Sequence, residues 1–246
     1  MKKIIANDEF ELESFEQEYE LINLVRHPNI LRILGISKVK LDKTTQALYI
    51  LMETGLNDWE KEIKSRQTLK QFYLEKELID ILIQLASALL FLQNKNISHR
   101  DIKPQNILIF KNNVYKLADF GEAKQLSMLE TNKQLNTLRG TELYMSPLLF
   151  NALRTNQNDI KHNSYKSDVF SIAFCLLYAA TLNIHVLYEC RKLCDMKSMK
   201  VLLNKALQSR YSQGFINLMY KMLDINENNR FDFYDLDKAL KEYQLE

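Results

Sequence analysis

The sequence contains little glycine, and its first glycine comes late. Five of the 246 residues are glycine, and the first of them is Gly35. A loop of the type G-x-G-x-x-G, whose backbone N–H groups would cover the phosphates of a nucleotide, therefore cannot begin in the first 34 residues. The sequence also has no internal repeat and no low-complexity linker, which excludes repeat architectures.

Cysteine is sparse as well, with only Cys175, Cys190 and Cys194. An odd number of cysteines without a recognisable secretory signal argues against a disulfide scaffold, so we expect a cytoplasmic or nuclear protein. Cys190 and Cys194 lie four residues apart, so one helix face would present both. We favour two small apolar residues on a buried face over a metal or redox pair.

Net charge and long apolar runs are also limited. The formal charge is +2, which gives no reason to expect nucleic acid or an acidic membrane as a partner. The run from Val169 to Tyr188 is apolar enough to suggest a membrane span, but Asp168 precedes it and Ser171, Asn183 and His185 interrupt it. A buried core helix is the favoured interpretation.

The periodicity of the apolar residues, 46% of the chain, divides the sequence into a strand-rich first fifth and a mainly helical remainder. Strands are predicted over residues 2–6, 30–38, 47–53, 107–110 and 114–118, with turns at 43–45 and 111–113. Helices are predicted over residues 11–25, 75–94, 166–181, 214–224 and 233–243. The segment Thr54-Gly55-Leu56 is the expected hinge between the two parts.

Two polar motifs carry the chemistry. They are His99-Arg100-Asp101-Ile102-Lys103-Pro104-Gln105-Asn106 and Asp119-Phe120-Gly121. Their residue types supply a carboxylate that can receive a hydroxyl proton, a lysine that can offset phosphate charge, and the hard oxygen ligands that Mg²⁺ prefers.

These motifs resemble the catalytic core of eukaryotic protein kinases, and Lys103, two places after Asp101, resembles the serine/threonine type. The resemblance implies an α+β, two-lobed fold in one domain over 1–246, with a partial β-rich N-lobe (1–54) and a mainly helical C-lobe (55–246). It implies transfer of the γ-phosphate of ATP to protein Ser/Thr hydroxyls, with ATP and Mg²⁺ as cofactors. The implied catalytic residues are Asp101, Lys103 and Asn106, and the implied metal ligands are Asn106 and Asp119.

The resemblance also assigns the nucleotide site. Lys2 resembles the strand lysine that contacts the phosphates, with Lys3 as the competing candidate, and Glu18 resembles its helix partner. Met52 falls at the gatekeeper position, and the backbone of Glu53 to Gly55 is expected to bind adenine. Leu108 is expected to form the apolar floor under adenine, and a spine of packed side chains is expected from Ile22, Ile33, His99, Phe120 and Asp168.

Residues 119–147 resemble an activation segment, including Phe120 and Gly121 at its start. Thr131 and Thr137 are candidate phosphate acceptors as well as ordinary loop threonines, and Arg100 is expected to read such a phosphate. Thr141 resembles the threonine that braces Asp101 and Lys103. The expected partners are a protein substrate and an upstream activating kinase.

Two departures from the family pattern leave alternatives open. Family members carry two strands and a Gly-rich loop before the lysine strand, so we expect the working form to include sequence before Met1. Leu148 stands where the family has a glutamate that pairs with a buried arginine, so Arg230 is expected to find another acceptor or water. The alternatives are a catalytically weak kinase-like scaffold and, less favoured, a small-molecule kinase.

Overall fold

A computed structural model of the protein describes residues 2–6, 25–41, 45–126, 134–137, 140–157 and 159–244. The described residues form a small antiparallel sheet and a larger, mainly helical part, as expected of a two-lobed α+β fold. The helix predicted over residues 11–25 and the turn at 43–45 lie almost wholly outside the described residues.

The small sheet has the strand order β1-β3-β2, and both pairings are antiparallel. Its strands are β1 (Lys2–Ala6), β2 (Ile33–Lys40) and β3 (Gln46–Met52). Alternating residues of the central strand β3 are aliphatic and buried, with Leu48 and Ile50 fully enclosed. The second strand begins three residues later than predicted, because Ile30 instead forms an isolated bridge with Leu117 of the helical part.

The helical part also contains short strands that form antiparallel pairs. The strands are β4 (Asn57–Asp58), β5 (Ile97–Ser98), β6 (Ile107–Phe110), β7 (Val114–Leu117), β8 (Lys124–Gln125), β9 (Gln134–Thr137) and β10 (Asp159–His162). The pairs are β4–β6, β6–β7, β5–β8 and β9–β10, all antiparallel. The predicted turn at 111–113 joins β6 to β7, with Asn112 and Asn113 in the left-handed conformation that asparagine tolerates.

Eight α-helices are described. They are α1 (Trp59–Leu69), α2 (Glu75–Asn94), α3 (Pro147–Arg154), α4 (Ser164–Thr181), α5 (His185–Arg191), α6 (Met196–Leu207), α7 (Gln213–Met222) and α8 (Phe233–Tyr243). Side-chain caps explain several starting points: Asp58, Asn163, Asp195, Ser212 and Asp232 each accept a backbone N–H from the first turn of their helix.

Helix α4 is the centre of the core. All of its residues except Lys166 and Thr181 are buried, and it ends where Leu182 adopts φ 50°. The run from Val169 to Tyr188 is thus a core helix followed by a turn. By length and composition alone, α2 is long and apolar enough to cross a membrane, but more than half of its apolar stretch is buried in the fold, as in core helices.

One expectation about cysteine is wrong. Cys190 lies buried on α5, but Cys194 lies beyond the end of that helix and is exposed. The helix ends at Arg191, so the four-residue spacing does not place both thiols on one helix face.

Candidate active site

Asp101 is the centre of the site, and its carboxylate is held from three sides. Oδ1 accepts hydrogen bonds from the backbone N–H and the hydroxyl of Thr141, both at 2.8 Å. Oδ2 lies 2.7 Å from the Lys103 ammonium and accepts a hydrogen bond from the Asn106 amide at 3.0 Å. Lys103 also donates to the Thr141 hydroxyl at 2.8 Å. Thr141 thus contacts both Asp101 and Lys103, which is the arrangement that the resemblance implies.

These contacts keep the Asp101 carboxylate charged. Burial by itself raises the pKa of Asp101, but the hydrogen bonds and positive charge of Lys103 and the hydrogen bonds of Thr141 outweigh it and lower the pKa. The ionised carboxylate is the form of Asp101 that can accept a hydrogen bond from an incoming hydroxyl, in exchange for one of the contacts it makes here.

The loop that carries Asp101 is held by a carboxylate from the core. Asp168 of α4 accepts hydrogen bonds from the Ser98 hydroxyl at 2.8 Å and from the backbone N–H groups of His99 and Arg100, both at 2.9 Å. Arg100 adopts φ 68°, a conformation that is uncommon for a non-glycine residue. The two N–H bonds to Asp168 stabilise this turn, which aims the Asp101 side chain at Thr141.

His99 and Phe120 connect this loop to the Asp-Phe-Gly motif. Their rings lie 4.8 Å apart, and both side chains are buried. Burial lowers the pKa of His99 although the Asp168 carboxylate opposes it, so the ring is neutral at pH 7. In that form Nε2 donates to the Ala118 carbonyl at 3.1 Å, and Nδ1 accepts the Asp101 N–H at 3.3 Å.

Of the two remaining predicted spine residues, the structure describes one. Ile33 is half-buried and packs against both apolar clusters, that of the sheet and that of the helical part. Ile22 lies outside the described residues.

Asn106 and Asp119 fit a magnesium site. Both amide protons of Asn106 are used, on the Asp101 backbone carbonyl at 2.9 Å and on Asp101 Oδ2, which leaves its Oδ1 as an acceptor. The Ala118 N–H bonds to the Asn106 carbonyl at 2.8 Å, which brings the following residue, Asp119, beside Asn106. Asp119 is exposed and adopts φ 56°.

Within the described ranges no group of three His, Cys, Asp or Glu side chains could hold a metal ion. This agrees with magnesium chemistry, since Mg²⁺ is usually bound by one or two protein oxygens together with phosphate oxygens and water.

The segment predicted to bind adenine is held in place by Lys116, a residue that the sequence motifs did not indicate. The Glu53 carboxylate accepts from Lys116 of β7 at 2.6 and 2.8 Å and from the Arg32 backbone N–H at 2.8 Å. Gly55 packs against Leu108, since a Cβ on Gly55 would lie 3.2 Å from Leu108 Cβ and 3.1 Å from the Ile109 carbonyl oxygen. Met52 ends β3 directly before Glu53.

Lys2, the lysine predicted to contact the phosphates, is described by its backbone. Lys2 lies in β1 with its backbone paired to Ile50, as predicted for a strand lysine. Its proposed partner Glu18 lies outside the described residues, so the predicted ion pair does too. The competing Lys3 is exposed, with its ammonium 5.7 Å from the centre of the Tyr49 ring.

Of the predicted activation segment, the two ends are described. Phe120 is buried, and Gly121 begins the turn after it. Thr131 lies outside the described residues, and Thr137 pairs through its backbone with Asp159 at the end of β9. The roles predicted for Arg100 and these threonines therefore stay predictions.

Arg230 finds other acceptors, as expected from Leu148. Its buried guanidinium donates to the backbone carbonyls of Asp224, Lys166 and Ile225 at 2.8, 3.2 and 3.3 Å. Burial lowers the pKa of Arg230 to about 10, still well above neutrality.

Comparison with known proteins agrees with this geometry. A family model described as the protein kinase domain matches residues 1–241. The serine/threonine-protein kinase Nek4 of Mus musculus is 34% identical over 171 residues, which are 68% of this chain and 19% of that protein. The probable serine/threonine-protein kinase nek3 of Dictyostelium discoideum is 32% identical over 230 residues, 89% of this chain and 18% of that protein.

A third relative, serine/threonine-protein kinase 36 of Pongo abelii, is 28% identical over 233 residues, 94% of this chain and 16% of that protein. The chain therefore spans about a fifth or less of the length of these relatives.

Proposed function

The chain belongs to the protein kinase family, among relatives of the serine/threonine type, and we propose that it transfers the γ-phosphate of ATP to Ser and Thr hydroxyls of protein substrates. The observation that carries the proposal is the constellation around Asp101, in which Lys103, Asn106 and Thr141 all contact one ionised carboxylate.

Asp101 is proposed to accept the hydrogen bond, and then the proton, of the substrate hydroxyl. The lowered pKa of Asp101 makes it a good acceptor for positioning the hydroxyl and a weak base. That combination suits phosphoryl transfer, in which alignment and charge compensation matter more than early deprotonation. Lys103, which bridges Asp101 and Thr141, is placed to offset negative charge on the transferred phosphoryl group.

Asn106 and Asp119 are proposed to hold Mg²⁺ together with the phosphates of ATP. When bound, the metal ions neutralise phosphate charge and orient the γ-phosphate. The chain's own contribution is to fix Asn106 through its two bonds to Asp101, so that the metal ligand and the proton acceptor share one rigid loop.

Adenine binding is proposed at the segment from Met52 to Gly55, with Leu108 below it. The support is the fixed geometry of this segment: the Glu53 carboxylate accepts from Lys116 and from the Arg32 backbone N–H, and the Glu53 N–H donates to the Arg32 carbonyl at 3.2 Å. Lys2 is proposed to contact the α- and β-phosphates, with Glu18 as its ion-pair partner, on the basis of their sequence spacing.

Regulation by an upstream kinase is proposed at Thr131 or Thr137, with Arg100 as the phosphate-reading residue. We also propose an intracellular, reducing location, which the three free cysteines support.

The test is phosphate transfer from Mg-ATP to a Ser/Thr peptide library by the wild type and by Asp101→Asn. We expect the variant to lose at least about a hundredfold in activity, because it removes the proton acceptor. Asp80→Asn, on the exposed face of α2, is the matched control and should retain full activity. Equal activity of wild type and Asp101→Asn would refute the proposal, and Mg-ATP binding without transfer by the wild type would favour the scaffold alternative.

A further inference from the structure

The segment Gly140–Pro147, here called the docking loop, is the last part of the predicted activation segment and bonds directly to the Asp101 carboxylate. Its first end is tied to Asp101 through the backbone N–H and hydroxyl of Thr141. Any residue that holds the far end of this loop therefore sets the distance between the loop surface and Asp101.

The far end is held by two side chains from the core helices. Three successive carbonyls accept hydrogen bonds: those of Leu143 and Met145 from Arg191, and that of Tyr144 from the Ser171 hydroxyl at 2.8 Å. Arg191 Nε lies 3.0 Å from the Leu143 oxygen, and the Arg191 Nη2 contacts both Leu143 and Met145. One guanidinium thus fixes two alternate carbonyls, which is the two-pronged geometry that a lysine cannot reproduce.

Three phenylalanine rings hold the Arg191 guanidinium against the docking loop. Its guanidinium carbon lies 4.8, 5.3 and 4.6 Å from the ring centres of Phe150, Phe170 and Phe174. These rings favour a cation and restrict its movement. The loop carbonyls are its hydrogen-bond acceptors. Burial lowers the pKa of Arg191 to about 10, and the charge of Glu142, also in the docking loop, acts in the opposite direction.

Leu148, directly after the docking loop, explains why the hydrogen bonds from Arg191 matter in this chain. Leu148 replaces the glutamate of the family pattern and is 38% exposed, so it supplies no carboxylate that could hold the end of the docking loop. Arg230 is satisfied by carbonyls of Asp224, Ile225 and Lys166, none of which belongs to the docking loop. Among the described side chains, Arg191 of α5 is the charged one that bonds to the Leu143 and Met145 end of the loop.

We propose that Arg191 is a positioning residue that shapes the docking loop for the protein substrate and so aligns the acceptor hydroxyl with Asp101. The proposal rests on the proposed function. Arg191 bonds to the loop carbonyls and to none of the residues assigned to ATP or Mg²⁺. Its loss should therefore weaken the use of the peptide substrate and leave the use of ATP unchanged.

The test compares Arg191→Met, Arg191→Lys and the control Arg154→Met. Arg154 lies on the exposed face of α3 with its guanidinium 5.7 Å from the same Phe150 ring, so the control removes a cation above that ring without removing a loop contact. For Arg191→Met we expect the KM for peptide to rise about tenfold and the KM for ATP to stay within about twofold. Arg191→Lys should give a smaller rise, because lysine keeps the charge and reaches one carbonyl.

Hydrogen exchange provides the readout that does not depend on activity. The amides of Tyr144 and Met145, which bond within the loop to Thr141 and Glu142, should exchange faster in both Arg191 variants and not in Arg154→Met. An unchanged KM for peptide with unchanged exchange would overturn the proposal, as would an equal rise in the KM for ATP. If Arg191→Met does not fold, the lysine variant decides by the same criteria.

The same experiments distinguish a failure of the proposed kinase function from a failure of the positioning role. A wild type that transfers no phosphate but whose loop amides respond to Arg191→Lys would refute kinase activity and retain Arg191 as the residue that holds the loop. If the wild type is active but the Arg191 variants change neither the exchange of the loop amides nor the KM for peptide, only the positioning role is refuted.

Discussion

Gly140 lies directly against the backbone of Arg100, so closely that a Cβ atom on Gly140 would overlap the Arg100 carbonyl oxygen. Gly140 also adopts φ 104°, which side chains of L-amino acids rarely adopt. This approach lets the next residue, Thr141, reach Asp101. The two neighbouring loops, one carrying the proposed proton acceptor and one proposed to position the substrate, thus meet where only a hydrogen atom fits.

Replacement of Gly140 by alanine should therefore separate Thr141 from Asp101. We expect Gly140→Ala to lower phosphate transfer at least tenfold and to lower the free energy of unfolding by about 1–3 kcal/mol, from the overlap and the strained φ. Kinase assays and urea denaturation measure both. Gly35→Ala is the control, since no described atom lies within 4 Å of its added Cβ; a Gly140 variant that behaved like this control would contradict the assigned close approach.

Lys103 should control the protonation of Asp101. The folded-state pKa of Asp101 is lowered, so its stabilising contribution is present above the ordinary pKa of 3.8 and is lost as pH falls through the folded-state value. In Lys103→Met the pKa of Asp101 should rise, because burial is then opposed only by the remaining hydrogen bonds. The acid limb of the residual activity should move to higher pH, whereas Lys76→Met, on the exposed face of α2, should leave it in place. An unmoved limb would argue against the ion pair.

The contact between Glu53 and Lys116 should stabilise the segment proposed to bind adenine. Its side chains are 24% and 16% exposed, so the pair is partly shielded from water. Lys116→Met should cost about 1.5–3 kcal/mol in unfolding free energy, as for hydrogen bonds to charged groups, and should weaken ATP binding.

The matched control for this pair is the exposed pair of Lys192 and Glu189, with side-chain exposures of 68% and 54%. Lys192→Met should cost less than about 0.5 kcal/mol, since exposed pairs contribute little. Equal effects of the two substitutions in urea denaturation, with calorimetry for ATP, would rule out a special role for Lys116.

His162 should make the protein less stable in mild acid. Burial lowers the pKa of His162 below its ordinary value of 6.5, and the charges of Arg100 and Arg230 act in the same direction. The unfolded state therefore binds more protons below about pH 6.5, and stability falls as pH decreases from there towards the folded-state pKa.

One such histidine contributes a slope of up to about 1.4 kcal/mol per pH unit. Urea denaturation between pH 7.5 and 5.5 should give a smaller slope for His162→Asn than for the wild type. Identical slopes for the wild type and His162→Asn would contradict the assigned burial of a neutral ring.

Much of the local structure follows from sequence period and motif alone. The predicted helices over 75–94 and 233–243 match the observed bounds, because their apolar residues repeat with the helical period. The short strand predicted over residues 2–6 also matches, although its sequence does not alternate. The grouping of Asp101, Lys103 and Asn106 in one loop also follows from short spacing. The wrong expectation for Cys194 arose because spacing does not tell where a short helix ends.

The contacts that hold the site together could not be predicted in this way. Lys116 is 63 residues from Glu53, and Arg191 is 48 residues from Leu143, and nothing in the local pattern around either residue indicates its partner.

The sequence by itself determined the chemistry of this protein: the residue types at 101, 103, 106 and 119, their order, and the periods that build the helices and strands. Only the tertiary structure decided how these residues are held in place. The contacts are the close approach of Gly140 to Arg100, the ion pair of Lys116 with Glu53, and the hydrogen bonds from Arg191 to the docking loop. The physical reason is that periodicity and motifs arise from neighbouring residues. Hydrogen bonds between distant segments depend on how the whole core packs.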